Sequence, residues 1–138
     1  MEKTELEEGV DLRLDFGKIA RMAGPGCDVI PVAVQHRDTG ELILVAYTNE
    51  QAFRQAVRTR SLVLWSTSRQ ALWEKGATSG ETFDLVEVRV NCEQNSLLYQ
   101  VRPRRGGICH TRNAQGEPRH CFYRRLDMER MVWENTDP

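Results

Sequence analysis

The sequence lacks a large net charge, a long apolar run and a secretion signal. Its 19 lysines and arginines face 20 aspartates and glutamates, so the formal net charge of −1 does not suggest a nucleic-acid partner. No apolar run reaches the roughly 18 residues that a membrane-spanning helix needs. The opening residues, MEKTELEEGVD, hold five acids and one lysine and lack the apolar segment of a signal peptide. We therefore expect residues 1–13 to form a flexible acidic arm of a cytoplasmic protein.

Cysteine is also scarce. The four cysteines, Cys27, Cys92, Cys109 and Cys121, are too few and too widely spaced for a small disulfide scaffold, so we expect free thiols. No two of them form a C-x-x-C pair, which leaves a zinc ribbon or a thioredoxin-like site without support. Any metal site must therefore collect its ligands from distant segments.

The chain does contain enough apolar residues for one core, in alternating patterns. With 138 residues and 40% hydrophobic content it has the size of a single domain, which we assign to residues 14–138. Two β-rich runs flank the turn Asp38-Thr39-Gly40, and Asn49 can cap a helix ending near residue 59. The other predicted elements are strands at 61–68, 83–90 and 96–102, a helical turn at 69–75 and a helical tail at 122–133. These patterns predict an α+β domain, mainly antiparallel β.

Three of the cysteines, Cys92, Cys109 and Cys121, stand beside polar residues instead of inside apolar runs. Three thiolates around zinc leave a fourth position for water, as in catalytic sites, whereas a structural site is closed by four ligands. His110 and His120, which adjoin two of these cysteines, could supply a base or the fourth ligand. The alternative is that the thiols are merely small buried side chains, a common fate of free cysteine.

Two polar segments could bind phosphate. Residues 102–125 contain seven arginines against one glutamate, and guanidinium groups suit bidentate binding of phosphate oxygens. Residues 65–80 offer hydroxyls, backbone N–H groups and positive charge, which are the components of a phosphate cradle. A solvated basic surface and an ordinary polar loop explain these segments equally well.

Seven segments of the chain together form a recognisable pattern. The most specific is LWSTSRQALWEKGATSG (64–80), and the others are LDFGK (14–18), IPVAVQ (30–35), DTGELILVAYTNEQA (38–52), VRVNCEQNSLLYQV (88–101), CHT (109–111) and CFYRRL (121–126). In content and order these segments resemble the phosphoribosyl-AMP cyclohydrolase family of histidine biosynthesis. The resemblance implies hydrolysis of the N1–C6 bond of N1-(5-phosphoribosyl)-AMP, which opens the purine ring. It also implies an intertwined homodimer that shares a zinc ion between Cys92 of one subunit and Cys109 and Cys121 of the partner subunit.

The same resemblance implies roles for the polar residues. His110 becomes the expected proton-transfer group. The residues expected to hold the substrate and its phosphates are Trp65, Ser66, Ser68, Arg69, Lys75, Thr78, Ser79, Gly80, Arg112 and Arg124.

The chain departs from the family's pattern in two places. Family members usually carry aspartates around the first zinc cysteine, associated with Mg²⁺, whereas this chain has Asn91, Glu93 and Asn95. Because Mg²⁺ prefers charged oxygen ligands, we expect its binding here to be weakened or lost. In addition, the eleven residues between Cys109 and Cys121 form a longer segment than is usual in the family. Such an insertion can loop outward without moving its ends.

These departures leave three hypotheses about function. The first is a divergent cyclohydrolase that works with an altered need for Mg²⁺. The second is a paralogue that hydrolyses another N-substituted purine or cyclic amidine, with Asn91, Glu93 and Asn95 contacting the substrate. The third is a catalytically silent, zinc-stabilised dimer that binds a phosphorylated nucleotide or a protein.

Overall fold

The computed structural model describes residues 5–11, 14, 28–77, 80, 82–104 and 111–138. The two helices in these ranges are α1 and α2, and eight strands accompany them. In chain order the elements are α1 (Glu5–Glu8), β1 (Ile30–His36), β2 (Leu42–Thr48), α2 (Glu50–Thr59), β3 (Val63–Ser66), β4 (Ala71–Glu74), β5 (Phe83–Val90), β6 (Leu97–Pro103), β7 (Arg124–Asp127) and β8 (Val132–Asn135).

The central sheet has the strand order β2-β1-β6-β5. The pairs β1–β2 and β5–β6 are antiparallel, and β1 runs parallel to β6. The predicted hairpin turn between β1 and β2 is confirmed, because Gly40 has φ of 77° and its N–H donates to the His36 carbonyl at 3.0 Å. Glycine takes this left-handed conformation without steric cost. The α+β, mainly antiparallel architecture is confirmed, and the intertwined homodimer stays a prediction.

Helix α2 begins and ends where the sequence predicts. The Asn49 side chain accepts a hydrogen bond from the Ala52 N–H at 2.9 Å, which satisfies one of the free donors of the first turn. The helix ends at Thr59, and the following residue, Arg60, caps it in the left-handed conformation. Its buried face, Ala52 and Ala56, is formed by small residues, which allow the helix to approach the sheet closely.

The hydrophobic core lies where α2 and β3 meet the central sheet. Its members come from α2, from Leu62 just before β3, and from β1, β2, β3, β5 and β6. The largest fully buried apolar ones are Tyr99, Phe83, Ile43, Leu62 and Leu64. A register shift between Leu85 and Glu87 interrupts the alternation of β5, so that Leu85 and Val88, three residues apart, both pack on the core. The core therefore holds β2 and β3 side by side, which sets the positions of the polar loops at their ends.

The predicted helical turn at 69–75 is wrong. Residues 71–74 form β4, which pairs with β3 from Val63↔Glu74 to Ser66↔Ala71. Gln70 adopts φ of 51° and reverses the chain between the two strands. Cross-strand pairing against a buried strand outweighs the helical propensity of RQALWEK, because a single isolated helical turn has no cooperative support.

The predicted helical tail at 122–133 is also wrong. The segment forms the hairpin β7–β8, paired from Arg124↔Asn135 to Asp127↔Val132. The Asp127 carboxylate accepts hydrogen bonds from the N–H groups of Glu129 and Arg130, and Met131 takes φ of 59°. This local bonding by an aspartate side chain favours a turn over a continuous helix.

The N-terminal residues contact this C-terminal hairpin. Helix α1 precedes Val10, whose carbonyl accepts a hydrogen bond from the Trp133 N–H at 3.0 Å. The mobility of the acidic arm and a domain boundary after residue 13 stay predictions. No helix in the described part of the chain is long and apolar enough to cross a membrane.

Candidate functional site

A cavity of about 300 Å³ lies beside the loop that joins β3 to β4. One side is formed by Val45, Ala46 and Tyr47 of β2, and the other by Trp65, Trp73 and the loop residues 66–69. The structure thus brings together Trp65, Ser66, Ser68 and Arg69, four of the predicted substrate-binding residues. Tyr47 is a cavity residue that the sequence analysis missed, because alternation in a strand does not show which face a loop will cover.

The loop is ordered by its own hydrogen bonds. The Ser66 hydroxyl accepts from the backbone N–H and the guanidinium Nε of Arg69, at 3.3 and 3.4 Å. The Ser66 and Ser68 hydroxyls lie 3.4 Å apart, and Gln70 donates to the Thr67 carbonyl at 2.7 Å. Hydroxyl and guanidinium groups therefore converge on one end of a cavity that has aromatic walls. This arrangement suits an anion attached to a planar ring.

Lys75 follows β4 and is only 4% exposed. Its backbone N–H donates to the Leu62 carbonyl at 2.9 Å, so the core fixes its position. After it, Gly76 and Gly80 have φ of 84° and 88°, and the Gly80 N–H donates to the Gly76 carbonyl. Burying an ammonium group is costly, so a buried lysine is a signal of function. The predicted phosphate residues Thr78 and Ser79 lie outside the described residues.

The loop that carries Cys92 is closed by two asparagines. The Asn91 side-chain oxygen accepts from the N–H groups of Asn95 and Ser96 at 2.9 and 3.0 Å. The Asn91 side-chain amide donates to the Asn95 side-chain oxygen at 2.6 Å. Both side chains are therefore engaged in holding the turn, and the free thiol of Cys92 is exposed at its tip.

The second described cysteine of the predicted metal site, Cys121, is also exposed and forms no disulfide in the described part of the chain. It follows His120, whose Nε2 lies 3.3 Å from a Glu41 carboxylate oxygen in the turn between β1 and β2. Cys109 and His110 lie outside the described residues. Within the described ranges, no three histidine, cysteine or carboxylate side chains are grouped closely enough to hold a metal ion. Two exposed thiols in separate loops are soft donors that fit zinc chemically.

The arginine-rich segment is largely engaged in internal contacts. Arg102 forms a bidentate pair with Asp38, and the hydrogen bond from Arg102 is the main cause that lowers the pKa of Asp38. Arg104 binds Asp84 at 2.7 Å. Of the two predicted phosphate ligands, Arg112 donates to the Gly116 carbonyl, while Arg124 donates to the carbonyls of Leu6 and Gly9. Phosphate binding by Arg112 and Arg124 stays a prediction.

A second, more apolar cavity of about 510 Å³ lies between α2 and the ends of β5 and β6. Its apolar lining comes from Ile30, Phe53, Val88, Val90 and Leu97, with a polar rim that includes Gln94 of the Cys92 loop. This cavity therefore adjoins one of the two loops that present a thiol.

Comparison with known proteins identifies consistent relatives. A sequence model described as PRA-CH, phosphoribosyl-AMP cyclohydrolase, matches residues 44–123. A Caulobacter vibrioides protein named phosphoribosyl-AMP cyclohydrolase is 43% identical over 118 residues, covering 85% of this chain and 80% of that protein. An Archaeoglobus fulgidus protein of the same name is 42% identical over 99 residues, 72% of this chain and 86% of that protein. A Thermus thermophilus protein named histidine biosynthesis bifunctional protein HisIE is 46% identical over 98 residues, 71% of this chain and 43% of that protein.

Proposed function

The chain belongs to the phosphoribosyl-AMP cyclohydrolase family, and we propose from this that it hydrolyses the N1–C6 bond of N1-(5-phosphoribosyl)-AMP in histidine biosynthesis. The family match over residues 44–123 carries this proposal, because it spans the cavity loop and both described thiols. Hydrolysis adds one water across a cyclic amidine bond: C6 gains the oxygen and N1 gains a proton as the ring opens. The comparisons favour neither the paralogue nor the silent dimer.

Substrate binding is assigned to the cavity beside the β3–β4 loop. The hydroxyls of Ser66 and Ser68 and the guanidinium of Arg69 are suited to phosphate oxygens, and Trp65 offers a ring face to the purine. Their mutual hydrogen bonds order the loop before substrate arrives, which lowers the entropic cost of binding. The remaining predicted phosphate contacts are Lys75, Thr78, Ser79, Gly80, Arg112 and Arg124.

A zinc ion is the proposed cofactor. Its ligands would be Cys92 of one subunit and Cys109 and Cys121 of the partner subunit, which makes a homodimer necessary for each site. The observation that supports this is chemical: the two described thiols are exposed soft donors outside any disulfide, in loops far apart in sequence. When bound, zinc supplies Lewis acidity that lowers the pKa of a coordinated water. His110 is proposed to move the proton that N1 receives.

Magnesium does not fit the Cys92 loop as it stands. The Asn91 oxygen already accepts two backbone N–H groups, and the Asn95 oxygen accepts the Asn91 amide. The loop is therefore closed by neutral hydrogen bonds at the place where the family's aspartates are expected. A hard dication gains little from neutral amide oxygens that are already bonded. We propose that turnover does not require Mg²⁺.

Restoring aspartate at both positions should create a response to Mg²⁺. In Asn91→Asp/Asn95→Asp the amide-to-oxygen bond of 2.6 Å is replaced by two adjacent carboxylates, which repel each other until a cation lies between them. We expect thermal unfolding of the double variant to begin lower than that of wild type without Mg²⁺ and to recover as Mg²⁺ is added. Asn91→Asp alone is the control and should show a smaller Mg²⁺ effect. Equal melting curves with and without Mg²⁺ for the double variant would refute the proposal that Asn91 and Asn95 are the reason why Mg²⁺ does not fit this loop.

The assay that tests the proposed function is turnover of N1-(5-phosphoribosyl)-AMP by the purified protein, followed optically. It is repeated after removal of metal with a chelator, after zinc is returned, and across a Mg²⁺ titration. Ring opening that disappears with zinc removal and returns with zinc supports the proposal. Absence of turnover by a zinc-loaded dimer contradicts it.

A further inference from the structure

Arg119 connects the two ends of the chain through a buried ion pair. Its side chain is 0% exposed, and its guanidinium donates to the Glu8 carboxylate at 2.5 and 3.3 Å. Glu8, in α1, is itself only 18% exposed. The two opposite charges therefore neutralise each other at a place that little water reaches.

Further contacts fasten the N-terminal segment on both sides of this pair. The Arg119 guanidinium lies 4.2 Å above the Tyr123 ring and also donates to the Arg112 carbonyl. The Tyr123 hydroxyl donates to the Glu7 carbonyl at 2.6 Å. Arg124 donates to the carbonyls of Leu6 and Gly9 at 2.9 and 3.1 Å. Residues 5–10, which we call the strap, are thus bound to residues 119–124 by side chains and backbone together.

The exposed Cys121 lies between the two side chains that grip the strap. Arg119 precedes it by two residues and Tyr123 follows it by two, and both are buried. The short segment that carries the thiol therefore has both ends fixed while its centre remains accessible. This is the arrangement that a metal ligand needs, because a ligand must be reachable and also held in one orientation.

We propose that the strap orders the Cys121 segment for metal binding, with Arg119 as a positioning residue that acts through Cys121. The metal part of this inference rests on the proposed function, whereas the ordering of the segment does not. Removing the Glu8 charge would leave a buried guanidinium facing a neutral group. The Arg119 Nε already has no hydrogen-bond partner in the described part of the chain. The guanidinium is therefore incompletely hydrogen-bonded even before the charge of Glu8 is removed. The segment should then loosen around the thiol.

The test compares Glu8→Gln with Glu5→Gln in the full-length protein. The first variant keeps the size of the side chain and removes its charge, and the second makes the same change at an exposed position of α1. We expect zinc to leave Glu8→Gln about tenfold faster than Glu5→Gln when a chelator is added, as is usual when a group that orients a ligand is changed. Hydrogen exchange of the amides in residues 119–124 should accelerate in Glu8→Gln, while exchange in β1 and β6 stays unchanged.

Arg119→Lys is the second variant, and it keeps the experiment decisive if Glu8→Gln folds poorly. Lysine retains the charge but loses the planar fork and the stacking on Tyr123, so an intermediate zinc release rate is expected. If the wild-type protein holds no zinc, the proposed cofactor fails, and the exchange data alone decide whether the strap orders the segment. Equal exchange rates in residues 119–124 for Glu8→Gln and Glu5→Gln, or faster exchange spread over the whole protein, would overturn the inference.

Discussion

Cys121→Ser should lose zinc and turnover together. A serine hydroxyl is a poor substitute for a thiolate as a zinc ligand, and two remaining thiolates hold the ion far less tightly. We expect the zinc content of the purified variant to fall to background and kcat/KM to fall on the order of 10³-fold or more, because the metal supplies the activation of water. Metal analysis and the ring-opening assay measure the two effects. Cys27→Ser, outside the proposed ligand set, is the control and should match wild type.

A mixing experiment tests whether the site is shared between subunits. Cys92→Ser and Cys121→Ser should each be inactive alone. A heterodimer of the two regains one intact site, since one subunit keeps Cys92 and the other keeps Cys109 and Cys121. Mixing after reversible dissociation should restore about a quarter of wild-type activity for random pairing in a twofold dimer. Absence of any recovery in proven heterodimers would mean that Cys92 and Cys121 serve the same subunit's site.

Lys75→Met should make the protein more stable and less active. Lys75 is only 4% exposed as a residue, a charged side chain is costly to bury, and methionine keeps a similar length without the charge. We expect the free energy of unfolding to rise by about 1 kcal/mol. We also expect kcat/KM to fall on the order of 10²-fold, as is typical when one group that stabilises negative charge is removed from an active site. Opposite signs for stability and activity are the mark of a residue retained for function.

Urea denaturation and steady-state kinetics of Lys75→Met measure the two quantities. Arg54→Met is a matched control, because Arg54 is exposed and pairs on α2 with Glu50, which is exposed as well, and such pairs contribute little. It should leave both stability and kcat/KM nearly unchanged. A Lys75→Met protein that is less stable but fully active would show that Lys75 has a structural role and no part in substrate binding.

Some residues of the candidate site could be predicted from the sequence, and others could not. The loop 65–69 could be found because its hydroxyl and guanidinium residues are consecutive, so neighbours in sequence are neighbours in space. Tyr47 could not be found in this way, because it lies in β2 and reaches the same cavity only through long-range packing. The many arginines of residues 102–125 suggested a phosphate-binding segment, but some of them form ion pairs within the fold. Arg102 and Arg104 pair with Asp38 and Asp84, partners that only the folded sheet brings near.

Local rules by themselves determined the β1–β2 hairpin, helix α2 and the strands β5 and β6. Each of these elements contains the residues that specify it. They are Gly40 at the turn, Asn49 at the helix start, and in the strands an alternation of apolar and polar residues long enough to outweigh other conformations. The family assignment is of the same kind, because it rests on the order of residues along the chain.

Tertiary structure decided the elements whose local preferences were weak. Residues 71–74 and the tail beyond Phe122 are short and hold helix-forming residues, yet they became strands because partners were available for pairing. Likewise, nothing local marks Arg119 for burial. Its place follows from Glu8, more than a hundred residues away, whose carboxylate neutralises the guanidinium as both leave water. Only the fold brings such distant partners together. In this protein they determine which arginines form internal ion pairs and which can still bind a ligand.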